Sequence, residues 1–347
     1  MKRLILGVLL SAIYGCGEVS RNNQHPDKAT LSADPVGSLT DQVDAGASFV
    51  ARHGLLSVAN GKIVDASQQP IQLRGMSLFW SQWSSSFWSS NAVGNVAVDW
   101  NATVIRAAMG IELGGYLANP AREKEKVKTI VNAAISHGIY VIIDWHDHNA
   151  TKHTQESVAF FSEMAALYGN NPHVIFEIFN EPLDISWREV KSYAETVIRA
   201  IRAQGARNLV IVGTPRWSQR VDLAANDPLS DDNVAYALHF YAGTHRQELR
   251  NVASYAMSRG IALFVTEFGV CEASGNGNID FNESNRWFTF MDQHQISWVN
   301  WSLHDKEESA SALRPGVNPY GPWSDGDLTK SGLFVRSKMR FTTKNGH

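Results

Sequence analysis

Two glutamates invite a chemical reading. Glu181 stands in the run Ile178-Phe179-Asn180-Glu181-Pro182 and Glu267 in Thr266-Glu267-Phe268-Gly269, each where a short apolar run stops. A carboxyl pair of this kind suits cleavage of a glycosidic bond: one group protonates the leaving oxygen, the other attacks the anomeric carbon or activates water. A gap of about 5 to 5.5 Å goes with nucleophilic attack and retention, and about 6.5 to 9.5 Å leaves room for water and gives inversion. The run 103–109 carries Arg106, and other runs end at Asp144-Trp145-His146, His239-Phe240-Tyr241 and Trp301-Ser302. Burial of an ionisable group is costly unless compensated, so their recurrence at one end of successive runs points to one shared site. Arg106 is expected to pair with Glu267. Asp144, His146 and His148 fall on one face of an extended segment, a spacing that could also hold a divalent ion.

The elements that must carry these groups are eight near-continuous apolar runs: 71–78, 103–109, 140–145, 174–179, 209–212, 234–240, 262–266 and 298–303. Strands covered on both faces read this way. Between them the apolar spacing predicts helices, clearest over 123–137, 187–204 and 281–294, and Gly138, Gly205 and Gly260 each stop a helical run before a strand. Eight strand-then-helix units in about 290 residues predict a single (β/α)₈ barrel, with the catalytic groups at the C-terminal ends of its strands. An open doubly wound sheet is the alternative, but no Gly-rich phosphate loop follows the first strand. Two short strands joined at Asn60-Gly61 predict a hairpin at the base of the barrel.

The chain opens with Lys2-Arg3, an apolar run over 4–14 too short to span a bilayer, and Ile13-Tyr14-Gly15-Cys16. This resembles a bacterial lipoprotein leader over 1–16, with Cys16 as the lipidated residue, and implies export to the cell envelope. Without lipidation, the reading is plain secretion. Residues 17–48 are polar and aperiodic and read as a flexible tether, 49–341 as the catalytic domain and 342–347 as a tail. Cys271 is then expected to be a small buried hydrophobe. A net charge of -3 with no basic run gives no sign of a nucleic-acid partner. The 11 Trp fit either a Trp-rich core or a sugar-binding cleft.

The ordered set Arg106, His146, Asn180-Glu181-Pro182, His239, Tyr241, Glu267-Phe268-Gly269 and Trp301, with Lys306 and Glu308 beyond it, resembles glycoside hydrolase family 5, in its bacterial endoglucanase branch. The resemblance covers the whole domain. It implies a retaining endo-β-1,4-glucanase acting by double displacement, with transglycosylation open to it, on β-glucan or cello-oligosaccharide, and needing no cofactor or metal. It makes Glu181 the acid/base, with a raised pKa, and Glu267 the nucleophile, aimed by Arg106 and Tyr241. Asn180 would bind the sugar 2-hydroxyl, and His146 and His239 would contact hydroxyls or the acid/base. Trp301 would stack on the sugar, and Lys306 and Glu308 would bind hydroxyls toward the non-reducing end. The segment after the first strand, Gly75 to Trp83, lacks the His that several family cellulases carry, and Phe79 or Trp80 fills its place. Trp80, Trp83 and Trp88 are the expected cleft aromatics; Trp187, Trp217, Trp287 and Trp298 are expected to pack. Mannanase, xyloglucanase or lichenase activity fits the same chemistry, and a sugar-binding protein without catalysis is the reading from another class.

Overall fold

The computed structural model describes residues 47–341; Cys16, the leader, the tether as far as residue 46 and the tail lie outside the described residues. After a short helix, Phe49–His53, the strands β1 (Ser57–Ala59) and β2 (Lys62–Val64) pair antiparallel. Their turn has Asn60 and Gly61 at φ 51° and 71°, the left-handed pair that an Asn-Gly hairpin turn needs. Eight parallel strands follow: β3 (Arg74–Leu78), β4 (Val104–Gly110), β5 (Tyr140–His146), β6 (Val174–Glu177), β7 (Val210–Val212), β8 (Val234–Tyr241), β9 (Ala262–Gly269) and β10 (Ser297–Leu303). They close in the order β10-β3-β4-β5-β6-β7-β8-β9, so the predicted (β/α)₈ barrel is the fold. The first strand starts later than expected because Ile71 turns back to bond Ile63.

Local chemistry sets the helices between strands. Pro120–His137 has Asn119 as N-cap, Pro at its start and Gly138 in the left-handed conformation at its end. Trp187–Ala203 opens with a capping box of Ser186 and Glu189. Helices over Thr154–Tyr168 and Gln247–Ser258 complete stretches where the sequence pattern was weaker. No helix among the described residues is long and apolar enough to cross a membrane.

Strand alternation sorts the barrel into shells. Ile105, Ala107, Met109, Val141, Ile143 and Trp145 pack outward against the helices. Val104, Ile142, Ile175, Ile211, Ala235 and Phe264 fill the lower interior. One step up the same strands stand buried Arg106, Asp144 and Glu177. The interior therefore changes from aliphatic to ionic within two residues. The base is closed by the N-terminal segment: Tyr140 donates to the Gly54 carbonyl (2.6 Å), and the Val58 amide donates to Asn233 Oδ1 (3.0 Å), just ahead of β8. The hairpin thus lies at the base, as expected.

Candidate active site

Arg106 lies at the centre of the ionic layer. Its guanidinium donates from Nη1 to Glu267 Oε2 (3.2 Å), from Nε to Glu177 Oε2 (2.7 Å) and from Nη2 to Asn180 Oδ1 (2.6 Å), and Nη2 lies 2.9 Å from Asp144 Oδ2. Burial alone would lower its pKa; Asp144, Glu177 and Glu267 more than reverse this, and it is raised. Three buried carboxylates against one buried cation leave excess negative charge. Burial pushes Asp144 up to about 7, with Arg106 opposing and Glu181 assisting. Glu177 is raised by burial, with Arg106 opposing and Asp144 assisting.

Glu267, on β9, is 5% exposed and also accepts from the Tyr241 hydroxyl of β8 at Oε1 (2.8 Å). Glu181 faces it from just beyond β6. Its Oε1 meets His239 Nδ1 at 2.8 Å, its Oε2 meets His148 Nε2 at 3.1 Å, and His239 Nε2 lies 2.9 Å from Thr266 Oγ1. A carboxylate oxygen of Glu181, one of Glu267 and a nitrogen of His239 all lie within 4.8 Å of one another.

Burial and the charge of Glu181 push Glu267 up to about 7. Glu181 is shifted down: burial raises it, but hydrogen bonds from His148 and His239 outweigh burial. The sequence reading expected the raised value on Glu181, so the resting network reverses the expected ranking. Hydrogen-bond valence decides where a shared proton can do work. Arg106 only donates, so a proton on Oε2 of Glu267 would lose that bond, and one on Oε1 would turn the Tyr241 O–H away from its acceptor. Imidazoles both donate and accept, so Glu181 can carry the proton with its partners intact. The catalytically useful form, Glu181 protonated and Glu267 ionised, is therefore the one whose bonds all close.

Of the two contacts expected of His146, to hydroxyls or to the acid/base, the one to Glu181 is not made. Its Nδ1 bonds Asp144 Oδ2 (2.7 Å), and its ring lies parallel to Trp301 (centroids 5.0 Å, 6°) with Trp80 edge-on at 4.1 Å. It shapes the floor rather than touching Glu181; His148, two residues on, makes that contact. Burial, then the nearby Arg106 charge, holds His146 well below the ordinary imidazole value, so it stays neutral. Asn180 Nδ2 is buried and has no hydrogen-bond partner among the described residues.

On the other side of Trp301, Phe79 lies face to face with His304 (4.3 Å, 13°). His304 Nε2 bonds Glu308 Oε1 (3.0 Å), and Lys306 pairs with the same carboxylate. Burial works to raise Glu308, but His304 and Lys306 bring it below the usual carboxylate range. His304 thus brings an imidazole from just beyond β10 against the Phe79 ring. Trp80 is half-buried and Trp83 is 52% exposed on the same rim. Trp88 departs from expectation: it is buried and donates to the Phe79 carbonyl (3.0 Å), supporting the loop from behind. Trp217 departs the other way. It is 48% exposed, in a left-handed run Arg216-Trp217-Ser218, and its amide donates to Pro182 beside Glu181. Trp187, Trp287 and Trp298 pack as expected. Cys271 is buried, and burial pushes its thiol up to about 12.

Asp144, His146 and His148 do not form a metal-ligating group. The groups within reach of one ion, among the described residues, are Glu112-Asp147-His153 and Glu181-His239-Glu267. In the first, Asp147 already bonds His153 Nδ1 (2.7 Å) and the Asn149 amide (2.7 Å). Sequence reasoning missed Glu177, His148 and His304 as partners. His148 and His304 were signalled by residue type alone, since loop paths decide what they meet, whereas Glu177 was a charge inside the apolar run 174–179, on β6 itself.

An eight-stranded barrel with two facing carboxylates at the C-terminal ends of its strands and an aromatic rim defines a glycoside hydrolase. The family model for cellulase (glycosyl hydrolase family 5) matches residues 64–307, and the chain belongs to that family. An endoglucanase from Clostridium saccharobutylicum is 46% identical over 305 residues, covering 86% of this chain and 68% of the relative. The chain spans 57% to 68% of the length of this and two further endoglucanases it matches. A solved structure from Cytophaga hutchinsonii has a TM-score of 0.85 and 51% identity over 86% of this chain and 98% of that one. The catalytic domain of a Thermobifida fusca endoglucanase, solved as a variant with cellotetraose, has a TM-score of 0.82 and 34% identity over 85% of this chain and all (100%) of that domain.

Proposed function

We propose that this chain is a retaining endo-β-1,4-glucanase. The carrying observation is that oxygens of Glu181 and Glu267 come within 4.8 Å, close to the ~5 Å of nucleophilic attack and short of the ~6.5 Å that an intervening water requires. Glu267, ionised and fixed by Arg106 and Tyr241, attacks the anomeric carbon. Glu181 protonates the leaving oxygen, then takes a proton from the water that releases the sugar. The unpartnered Asn180 Nδ2 offers the sugar 2-hydroxyl a donor where no reorganisation is needed. Trp301 forms the floor. Phe79, Trp83, Lys306 and Glu308 bind sugar units on the non-reducing side, and Trp217 offers an aromatic face on the leaving-group side. The cellotetraose complex of the Thermobifida fusca domain and the endoglucanase names of the relatives support β-1,4-glucan as substrate. A sugar hydroxyl reaching the glycosyl-enzyme in place of water would give transglycosylation. Export through the leader and lipid attachment at Cys16 belong to the same proposal; membrane fractionation of wild type and Cys16→Ala tests them.

The decisive experiment is product analysis on carboxymethylcellulose and cellopentaose, with Glu181→Gln and Glu267→Gln beside wild type. Rapid viscosity loss and short oligosaccharides, absent from both variants, are expected. Cleavage of mannan or xyloglucan in place of both would move the specificity, and inactivity on every β-glycan would remove the catalytic reading.

A further inference from the structure

The alternation of β9 breaks just before Glu267. Ala262 and Phe264 face the barrel interior while Leu263 and Val265 pack outward. A regular strand would then turn Thr266 inward and Glu267 outward. Instead β9 carries one extra residue against both neighbours. Against β8 the register runs from Ala237↔Phe264 to His239↔Glu267, and against β10 from Trp298↔Val265 to Asn300↔Phe268. This bulge lets two consecutive side chains address the interior, and bulges re-aim side chains in this way. Glu267 reaches Arg106 and Tyr241; Thr266, fully buried, reaches His239.

We propose that Thr266 is a positioning residue for the acid/base: its hydroxyl fixes His239 so that Nδ1 carries its hydrogen toward Oε1 of Glu181, which leaves Oε2 as the oxygen that gives and takes the catalytic proton. The inference rests on the reading of Glu181 as acid/base. In a neutral imidazole one nitrogen donates and the other accepts, and the tautomer is set by the partner of the far nitrogen. Thr266 Oγ1, 2.9 Å from Nε2, is that partner, and its O–H donated to Nε2 leaves the hydrogen on Nδ1. Oε1, 2.8 Å from Nδ1, is then held as an acceptor whether or not Glu181 is protonated. Among the described residues Oε2 meets only His148, whose side chain is 35% exposed at the cleft and can give way to a leaving group. A carboxyl has two equivalent oxygens, and an acid that must protonate one glycosidic oxygen gains from having one of them assigned.

The test compares Thr266→Val, Thr266→Ala and Thr266→Ser, with Glu181→Gln as reference, on cellotetraose and on 2,4-dinitrophenyl β-cellobioside, whose leaving group needs no acid. For Val and Ala, kcat/KM on cellotetraose should fall about 10- to 100-fold, the loss of one buried hydrogen bond. On the dinitrophenyl substrate it should stay within about threefold, and Ser should match wild type on both within the same margin. Melting temperatures establish folding, and Ala is read in the same way if Val does not fold. If Thr266 only fills space, the order inverts: Val, nearly isosteric, keeps full activity, and Ser, which leaves a methyl-sized void, is the poorer enzyme. That order, or an equal fall on both substrates in folded variants, overturns the proposal. If Glu181→Gln loses the dinitrophenyl substrate as severely as cellotetraose, or keeps both, the acid/base reading itself fails.

Discussion

Removing the Tyr241 hydroxyl should shift the pH range of the enzyme in one direction. That hydroxyl donates to Glu267 Oε1 at 2.8 Å, and burial followed by the Glu267 charge raises its pKa well above the ordinary phenol value, so it stays a donor at working pH. In Tyr241→Phe the ring remains and a single bond to an ionised carboxylate is lost. Bonds to charged groups contribute about 1.5 to 3 kcal/mol. At about 1.4 kcal/mol per pKa unit, this amounts to about one to two units on Glu267. The sign follows from which form the bond favours. It stabilises the carboxylate, so its loss raises the Glu267 pKa further above the ordinary value. The acid limb of kcat/KM, which reports the nucleophile in the free enzyme, should therefore move up by about one to two units, while the basic limb moves much less. The assay is kcat/KM on an aryl β-cellobioside from about pH 4 to about pH 9, with melting temperatures as the folding control. An acid limb that stays in place or moves down would refute the reasoning, because Glu267 would then not be the group the phenol holds ionised.

Asn180→Ala should lower kcat about 10- to 100-fold with a smaller change in KM, since the missing amide bonds a hydroxyl whose contact strengthens in the transition state; a change in KM alone would contradict this. His148→Ala removes a donor that holds Glu181 down, so the basic limb of kcat/KM should move to higher pH, and a move to lower pH would exclude His148 from that role. Gly75→Ala would set a Cβ 1.8 Å from the Val104 carbonyl oxygen inside the β3–β4 ladder. It should cost at least about 3 kcal/mol in urea unfolding, and a near-neutral result would mean that the ladder can open there.

What the sequence disclosed, and what it withheld, follows from range. Parallel strands buried on both faces are apolar along their whole length, so all eight could be located, and polar residues at their ends stood out against that background. Arg106, Glu181, Glu267, Tyr241 and His239 were legible for that reason. His148 was not, because it lies two residues past β5 and its partner depends on the path of the loop. The opposite fates of Trp88 and Trp217, one buried behind Phe79 and the other exposed beside Pro182, were equally hidden, since residue type does not tell which side of a loop faces water. Alternation alone could not place Thr266 and Glu267 together: counted regularly from Phe264, the strand would turn Thr266 inward and Glu267 away from the site, and only the extra residue reconciles the two. The reversed ranking of the two glutamates arose because a pair of imidazoles, one of them unforeseen, converges on Glu181.

The change from aliphatic to ionic layer has a consequence for how the barrel assembles. In most parallel sheets a slip of two residues is the tolerated error, because it keeps inward residues inward. Here Val104 and Arg106, Ile142 and Asp144, and Ile175 and Glu177 are each separated by that step. A two-residue slip of β4, β5 or β6 would strand a charge among aliphatic side chains and leave its counterions unmatched one storey above. The groups that prepare the nucleophile thus also tie β4, β5 and β6 to one register, because a two-residue shift would bury an unpaired charge.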